Sequence, residues 1–220
     1  MAADSGRRYD SPISRPYLVE HLMRRSVLFF TLIASSSVLA DEAAPRVENL
    51  LPLVVGNSWT YRVSGQEDRF VVRVVRQEMV GEQTCFRLDA TLKDRVVASE
   101  HLAFTKDGLC RFKVDNGEVK PPVCVLKLPN PKSPRWQQRY QVGERGATGF
   151  FSVSTGEVNV PLGKFKAVIV DASTSEGPGR PSTRTVVSYA GGVGIVKQEV
   201  VVGKGPLTLE LEKFGKEEEK

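Results

Sequence analysis

The sequence predicts an all-β domain with very little helix, folded as a curved antiparallel sheet or half-barrel of about ten strands. Past Ala40, apolar residues recur at every second position rather than with the 3.6-residue period of a helix. The alternating runs are short and broken by turn chemistry at roughly 8–12-residue spacing. Apolar and polar residues alternate within each run, whereas parallel strands buried on both faces would read as continuous apolar stretches.

Trp59, Tyr61 and Val63 alternate with Ser58, Thr60 and Arg62. Phe70, Val72 and Val74 alternate with Arg69 and Arg73, and Phe86, Leu88 and Ala90 with Arg87 and Asp89. Near the end, Leu207, Leu209 and Leu211 alternate with Thr208, Glu210 and Glu212. Each run makes a strand with one apolar and one wet face. The expected buried face therefore carries Trp59, Tyr61, Phe70, Val72, Phe86, Leu88, Leu207, Leu209 and Leu211. The breaks include Val80-Gly81-Glu82, Lys106-Asp107-Gly108, Asp115-Asn116-Gly117-Glu118, Pro161-Leu162-Gly163 and Ala190-Gly191-Gly192. Gly and Asn tolerate the positive φ that hairpin turns need. Residues 47–53 offer one short helical turn, limited by Pro52. Residues 129–134 are Pro-rich and expected to be extended. Residues 173–182 have almost no apolar side chain and are expected to form a mobile hairpin tip.

The N-terminal 40 residues have a different character. Met23-Arg24-Arg25 gives a positive start, residues 27–34 an apolar run, and Val38 and Ala40 small or branched side chains at cleavage offsets. That order is a secretory signal peptide, and the apolar run is short for a ~30 Å hydrocarbon core. The alternative is an uncleaved anchor. No Cys follows the apolar run, so a lipid anchor is not indicated. The expected organisation is an N-terminal extension plus signal peptide over 1–40, with Met23 the better start. A single β-rich domain over 41–215 and a charged, frayed tail over 216–220 follow. The mature chain is expected to begin at Asp41, in the periplasm or outside the cell.

The chain has 220 residues, 40% hydrophobic and 26% charged, with a net charge of +5. This is a globular balance for one moderate domain. Residues 1–40 hold five Arg against three acidic residues, so residues 41–220 keep +3. The basic residues are scattered among acidic ones, without the clustered face of a nucleic-acid binder.

Four stretches carry a resemblance. They are Leu51-Pro52-Leu53-Val54-Val55-Gly56-Asn57-Ser58-Trp59-Thr60-Tyr61, then Trp136, then Val158-Asn159-Val160-Pro161-Leu162-Gly163-Lys164-Phe165-Lys166-Ala167, then Tyr189-Ala190-Gly191-Gly192-Val193-Gly194-Ile195-Val196-Lys197. Over most of residues 50–213 the chain resembles exported bacterial domains of unknown function, the TapB-like group. These are similar in outline to the curved antiparallel sheets of LolA/LolB lipoprotein carriers. The motifs read as architecture: Gly56-Asn57 launches a strand, Trp59 and Tyr61 anchor a core, and Pro161, Gly163 and Phe165 shape a tight reversal. Gly191, Gly192 and Gly194 could instead cradle a phosphate, but a strand rather than a helix N-terminus follows them.

Catalytic chemistry is sparse. His21 lies in the targeting segment, which leaves His101 as the one His of the mature chain. It sits in the strand-like run Val96-Val97-Ala98-Ser99-Glu100-His101-Leu102-Ala103-Phe104, where a polar strand residue is the plainer reading than a general base. No Asp or Glu stands out from its wet strand face. Cys85, Cys110 and Cys124 are too widely spaced for a zinc site. In an oxidising compartment one pair can bond. A hairpin loop at Asn116-Gly117-Glu118 would set Cys110 opposite Cys124 and leave Cys85 unpaired; the alternative is three reduced, buried thiols. No cofactor, metal or catalytic residue is expected. The leading functional reading is a non-enzymatic envelope protein that binds a hydrophobic ligand; by the fold analogy, this would be a lipid, acyl chain or lipidated peptide. The second is an interaction module that binds another envelope protein through a sheet edge or long loop. An enzyme is the third.

Overall fold

The computed structural model describes residues 46–176, 182–202 and 205–216. One helical turn, α1 (Val47–Leu50), precedes the strands β1 (Asn57–Val63), β2 (Arg69–Val80), β3 (Gln83–Leu92), β4 (Arg95–Thr105), β5 (Gly108–Val114) and β6 (Gly117–Leu126). The order continues with β7 (Arg135–Val142), β8 (Arg145–Val160), β9 (Gly163–Ser175), β10 (Thr183–Ala190), β11 (Gly194–Val202) and β12 (Gly205–Lys216). Every strand is antiparallel to its chain neighbours. β1 also pairs with β12, so the sheet closes into a barrel. The all-β class is as expected. Twelve strands stand where about ten were counted, and the sheet closes where a half-barrel was the alternative.

Closure turns the period-two pattern into an inside and an outside. Trp59, Tyr61, Val63, Val74, Leu88, Leu209 and Leu211 are buried inside, with Phe70, Val72 and Phe86 packed on them. Leu207 departs from the expected face: it is 41% exposed, on β12 beyond the residues that pair with β1. Outward positions carry charge. Arg62 pairs with Glu210 at 2.9 Å, Arg69 with Glu212 at 2.5 Å, Arg87 with Asp89 at 2.8 Å and Arg184 with Asp171 at 2.6 Å. A transmembrane barrel has the opposite polarity, with an apolar belt outside.

One end of the barrel is plugged by the segment before β1. Leu50, Leu51 and Leu53 are buried there. Gly192 N–H donates to Asn49 O at 2.7 Å, Asn57 Nδ2 to Pro52 O at 2.9 Å, and Gly56 N–H to Val74 O at 2.9 Å. The β8–β9 hairpin turns at Pro161-Leu162, with Val160 opposite Gly163, and Leu162 N–H donates to Leu211 O at 3.0 Å. The hairpin tip thus rests on β12.

Between β6 and β7 the ladder has two rungs, Val119↔Val142 and Lys120↔Gln141. Pro121 and Pro122 follow at once, without N–H groups to donate. Side chains take over: Gln138 Oε1 accepts the Cys124 N–H at 2.8 Å, and Trp136 Nε1 donates to Cys124 O at 3.1 Å. Trp136 is held by stacking on Phe151, with centroids 5.0 Å apart.

Cys110 and Cys124 are disulfide-bonded, with Cα atoms 3.8 Å apart, and Cys85 is a free, buried thiol. The hairpin between the bonded pair is not centred on Gly117. Val114 faces Gly117, so the turn is the two-residue Asp115-Asn116. Further on, one residue of β5, Phe112, faces residues 119–122 of β6, and that bulge restores Cys110 opposite Cys124. β12 continues to Lys216, which pairs with Asn57 although it was counted with the expected tail; residues 217–220 lie outside the described residues. Thr174 faces Thr183. Residues 177–181 of the expected mobile tip, and the whole expected signal segment, also lie outside the described residues.

Trp59 is 1% exposed, so Trp59→Ala is expected to cost about 3–5 kcal/mol in a denaturant titration. A loss below about 1 kcal/mol would contradict its place in the core.

Candidate functional site

The barrel encloses space. A cavity of about 290 Å³ is walled by Trp59, Tyr61, Phe70, Val72, Leu88 and Leu209, with Ala90, Ala98 and Val114 beside them. A second, of about 180 Å³, is walled by Leu102, Leu109, Val123, Phe151, Val170 and Tyr189. Both are lined by Leu51, Glu100, Arg111, Ile195 and Gln198, so these five residues stand between a mainly apolar chamber and a smaller one of mixed polarity, to which Tyr140, Thr174 and Thr185 add hydroxyls.

The strands explain why charge stands there. Glu100 lies on β4 in phase with Ala98 and Leu102, and therefore points inward. Arg111 lies on β5 opposite Leu102, one step past a register shift between His101 and Leu102. Arg111 Nε donates to Glu100 Oε2 at 2.8 Å, and Nη2 forms an ion pair with the same oxygen at 2.8 Å. The two side chains keep 35% and 29% of their surface open although they lie within the barrel, because that surface faces the chambers. Burial acts to lower the Arg111 pKa, but attraction and hydrogen bonding from Glu100 outweigh it and raise it. Tyr189 is raised, first by burial and then by the Glu100 carboxylate. Tyr61 is raised well above its ordinary value, first by burial, then by Tyr189 and Glu100. Its hydroxyl donates to Ile195 O at 2.9 Å. The phenols are therefore neutral donors at physiological pH.

The architectural residues named from sequence gather round the plugged end. The Trp59 indole N–H donates to Val193 O at 2.6 Å, and its ring stacks on Phe214 with centroids 5.4 Å apart. Gly194, at φ 109°, has to be Gly: a Cβ would lie 2.7 Å from Trp59 Nε1 and 3.1 Å from Leu51 Cδ1. Gly56, Asn57 and Gly192 hold the plug as described above. Pro161, Gly163 and Phe165 shape the β8–β9 tip, and Phe165 packs on the core. Trp136 stands apart from this group, at the β6–β7 gap. Glu100 and Arg111 were not singled out by sequence. The signal was present for Glu100, an acidic residue in phase with Ala98, Leu102 and Phe104; the bulge at Phe112 hid the phase of Arg111.

His101 lies on the outward face of β4, yet is 1% exposed. Its Nε2 is hydrogen-bonded to Glu78 Oε1, and its Nδ1 is buried without a hydrogen-bond partner among the described residues. Cys85 faces Glu78 across the β2–β3 ladder, and its Sγ lies 3.6 Å from Gln83 O. Burial, then the Glu78 charge, pushes the thiol up to about 11. Such a thiol is a poor nucleophile at neutral pH. Among the described residues no His, Cys, Asp and Glu group has metal-binding geometry.

No family model matches the chain, and no curated protein matches it. Among solved structures it is similar to a protein named as a lipoprotein from Parabacteroides distasonis, with 10% identity, 76% of this chain and 98% of that one covered, and a TM-score of 0.42. It is also similar to an exported protein with a YmcC-like fold from Bacteroides fragilis, with 15% identity, 76% and 99% coverage, and a TM-score of 0.41. A third is the hypothetical lipoprotein YmcC from Escherichia coli, with 11% identity, 73% and 85% coverage, and a TM-score of 0.33. No activity or ligand is carried over from them.

The Glu78 carboxyl is held down at about 2, first by the His101 hydrogen bond and then by Arg76, against an ordinary value of 4.5. A depressed folded pKa gives stability that is fully present above pH 4.5 and lost as pH falls toward 2. The denaturation midpoint of the wild type should therefore fall more steeply across that window than that of Glu78→Gln. Parallel acid limbs would contradict the pairing.

Proposed function

We propose that this chain is an exported, non-enzymatic binding protein that holds an apolar or amphiphilic small molecule, such as an acyl chain, inside its barrel. The observation that carries the reading is the chambered interior. An apolar cavity gives water few partners, whereas a ligand there buries its own apolar surface at about 25 cal/mol per Å². The larger chamber is about 290 Å³, near the lower end of the ~300–1,000 Å³ range of small-molecule pockets.

Export is supported by the order of charge, apolar run and small residues over 23–40, and by a disulfide, a bond of oxidising compartments. The location is the periplasm or the exterior. A water-facing barrel is supported by the charged outer face. A non-catalytic role is supported by the state of the His101 neighbourhood, where the thiol is held protonated and the imidazole is tied to Glu78. No cofactor enters this reading, and the ligand takes the place of a nucleic-acid or membrane partner.

A second reading, a module that binds another envelope protein, is favoured by one observation. The β6–β7 ladder stops after Lys120↔Gln141, so strand backbone beyond it is bridged by side chains rather than by a full ladder.

The test is a fluorescent acyl probe. Ala98 lines the larger chamber, and Ala98→Trp fills it. The substitution should weaken probe binding by about tenfold or more, at least roughly 1.4 kcal/mol, in protein that stays folded. A folded Ala98→Trp protein with unchanged affinity would sink the lumen reading.

A further inference from the structure

We infer that the larger chamber takes an amphiphile whose polar end is neutral and both donates and accepts hydrogen bonds, as a hydroxyl does, and that this end docks on Glu100, Arg111 and Gln198. The inference rests on the lumen reading above and names the head group of its ligand.

The lining of this one chamber places the head. Most of its wall is apolar, with Phe70, Val72, Leu88 and Leu209 around a space of about 290 Å³. Two polar groups of the wall are already engaged. The Trp59 indole N–H donates to Val193 O at 2.6 Å, and the Tyr61 hydroxyl donates to Ile195 O at 2.9 Å. Glu100, Arg111 and Gln198, with Ser99, supply the other polar lining. The contacts from Arg111 converge on Glu100 Oε2. Oε1 of the carboxylate is therefore left to accept, Nη1 of the guanidinium to donate, and the Gln198 amide can do either. Both members of the pair keep part of their side-chain surface open, so a ligand can reach these atoms.

The same atoms select the chemistry of the head. An alkane would cover the ion pair and return no hydrogen bond for the water it displaces. A carboxylate would give up its hydration and meet the Glu100 charge beside that of Arg111. An ammonium would meet Arg111 beside Glu100. An ether accepts from Arg111 or Gln198, but it has nothing to donate to Glu100 Oε1 and leaves that oxygen covered and unpaired. A hydroxyl donates to the carboxylate, accepts from the guanidinium or the amide, and brings no charge. Its carbon chain then lies against the apolar wall, where loss of water from apolar surface drives binding.

The experiment compares three probes of equal carbon number, by displacement of the fluorescent acyl probe at pH 8: 1-decanol, its isomer methyl nonyl ether, and decanoate. Wild-type protein should bind decanol at least about tenfold more tightly than either of the others. The ether holds the same atoms without the donor, so it separates docking of the head from apolar burial alone. Glu100→Gln leaves the Arg111 charge unmatched, and should strengthen decanoate binding by about tenfold while moving decanol binding by less than about threefold. Equal or tighter binding of the ether or of decanoate by the wild type would overturn the inference and leave the lumen reading standing. Those comparisons need no variant, so they decide the matter even if Glu100→Gln does not fold. A folded Glu100→Gln protein with unchanged affinity for decanoate would also overturn the inference. Failure of every probe to bind, the fluorescent one included, would overturn the inference and the lumen reading together.

Discussion

Seven residues, Asn57–Val63, join the two ends of the sheet, and every enclosed feature of the molecule follows from that join. β1 is held from both faces. Inside, Trp59 and Tyr61 reach past β12 to donate to the carbonyls of Val193 and Ile195, at 2.6 and 2.9 Å. Outside, Arg62 meets Glu210 across the ladder, and Arg69 reaches from β2 to Glu212 on β12. Exposed ion pairs are each worth about 0–1 kcal/mol, so the buried aromatics supply most of the closing energy and the charges set register and keep the outside wet. Gly194 is the other half of this arrangement, because its missing side chain is the space the indole fills.

Closure has two consequences that fit together. A closed sheet has almost no edge, which removes most of the surface through which a β-protein would pair with another. It also encloses its apolar face, and the plug of Leu50, Leu51 and Leu53 closes one end, with Leu51 reaching the lining of both chambers. What is left inside is a mainly apolar chamber and a smaller one of mixed polarity, with the Glu100–Arg111 ion pair lining both.

The strand faces were legible because period two survives in short runs whatever the sheet does later. Trp59, Tyr61, Leu88, Leu209 and Leu211 are inside for the reason their spacing gives. Closure was not legible, since β1 and β12 lie at opposite ends of the sequence and nothing local specifies that they meet. Bulges were the other obstacle. The pairing of Cys110 with Cys124 follows from a hairpin centred on Gly117, yet the turn is at Asp115-Asn116, and residues 119–122 make up the difference. An argument from parity survived because the displaced turn and the bulge compensated. The same bulge conceals Arg111, and Glu100 was passed over as a wet-face acid although its phase is that of Leu102. The Glu100–Arg111 pair therefore emerges only when the strands are assembled.

Amide hydrogen exchange on the β1–β12 ladder tests the closed lumen most directly. Amides in the paired parts of β1 and β12, around residues 58–62 and 209–213, should be protected as strongly as those in the middle of β8 and β9. Rapid exchange along β1 and β12, with β8 and β9 still protected, would show an open sheet with a solvated apolar face and would contradict the account.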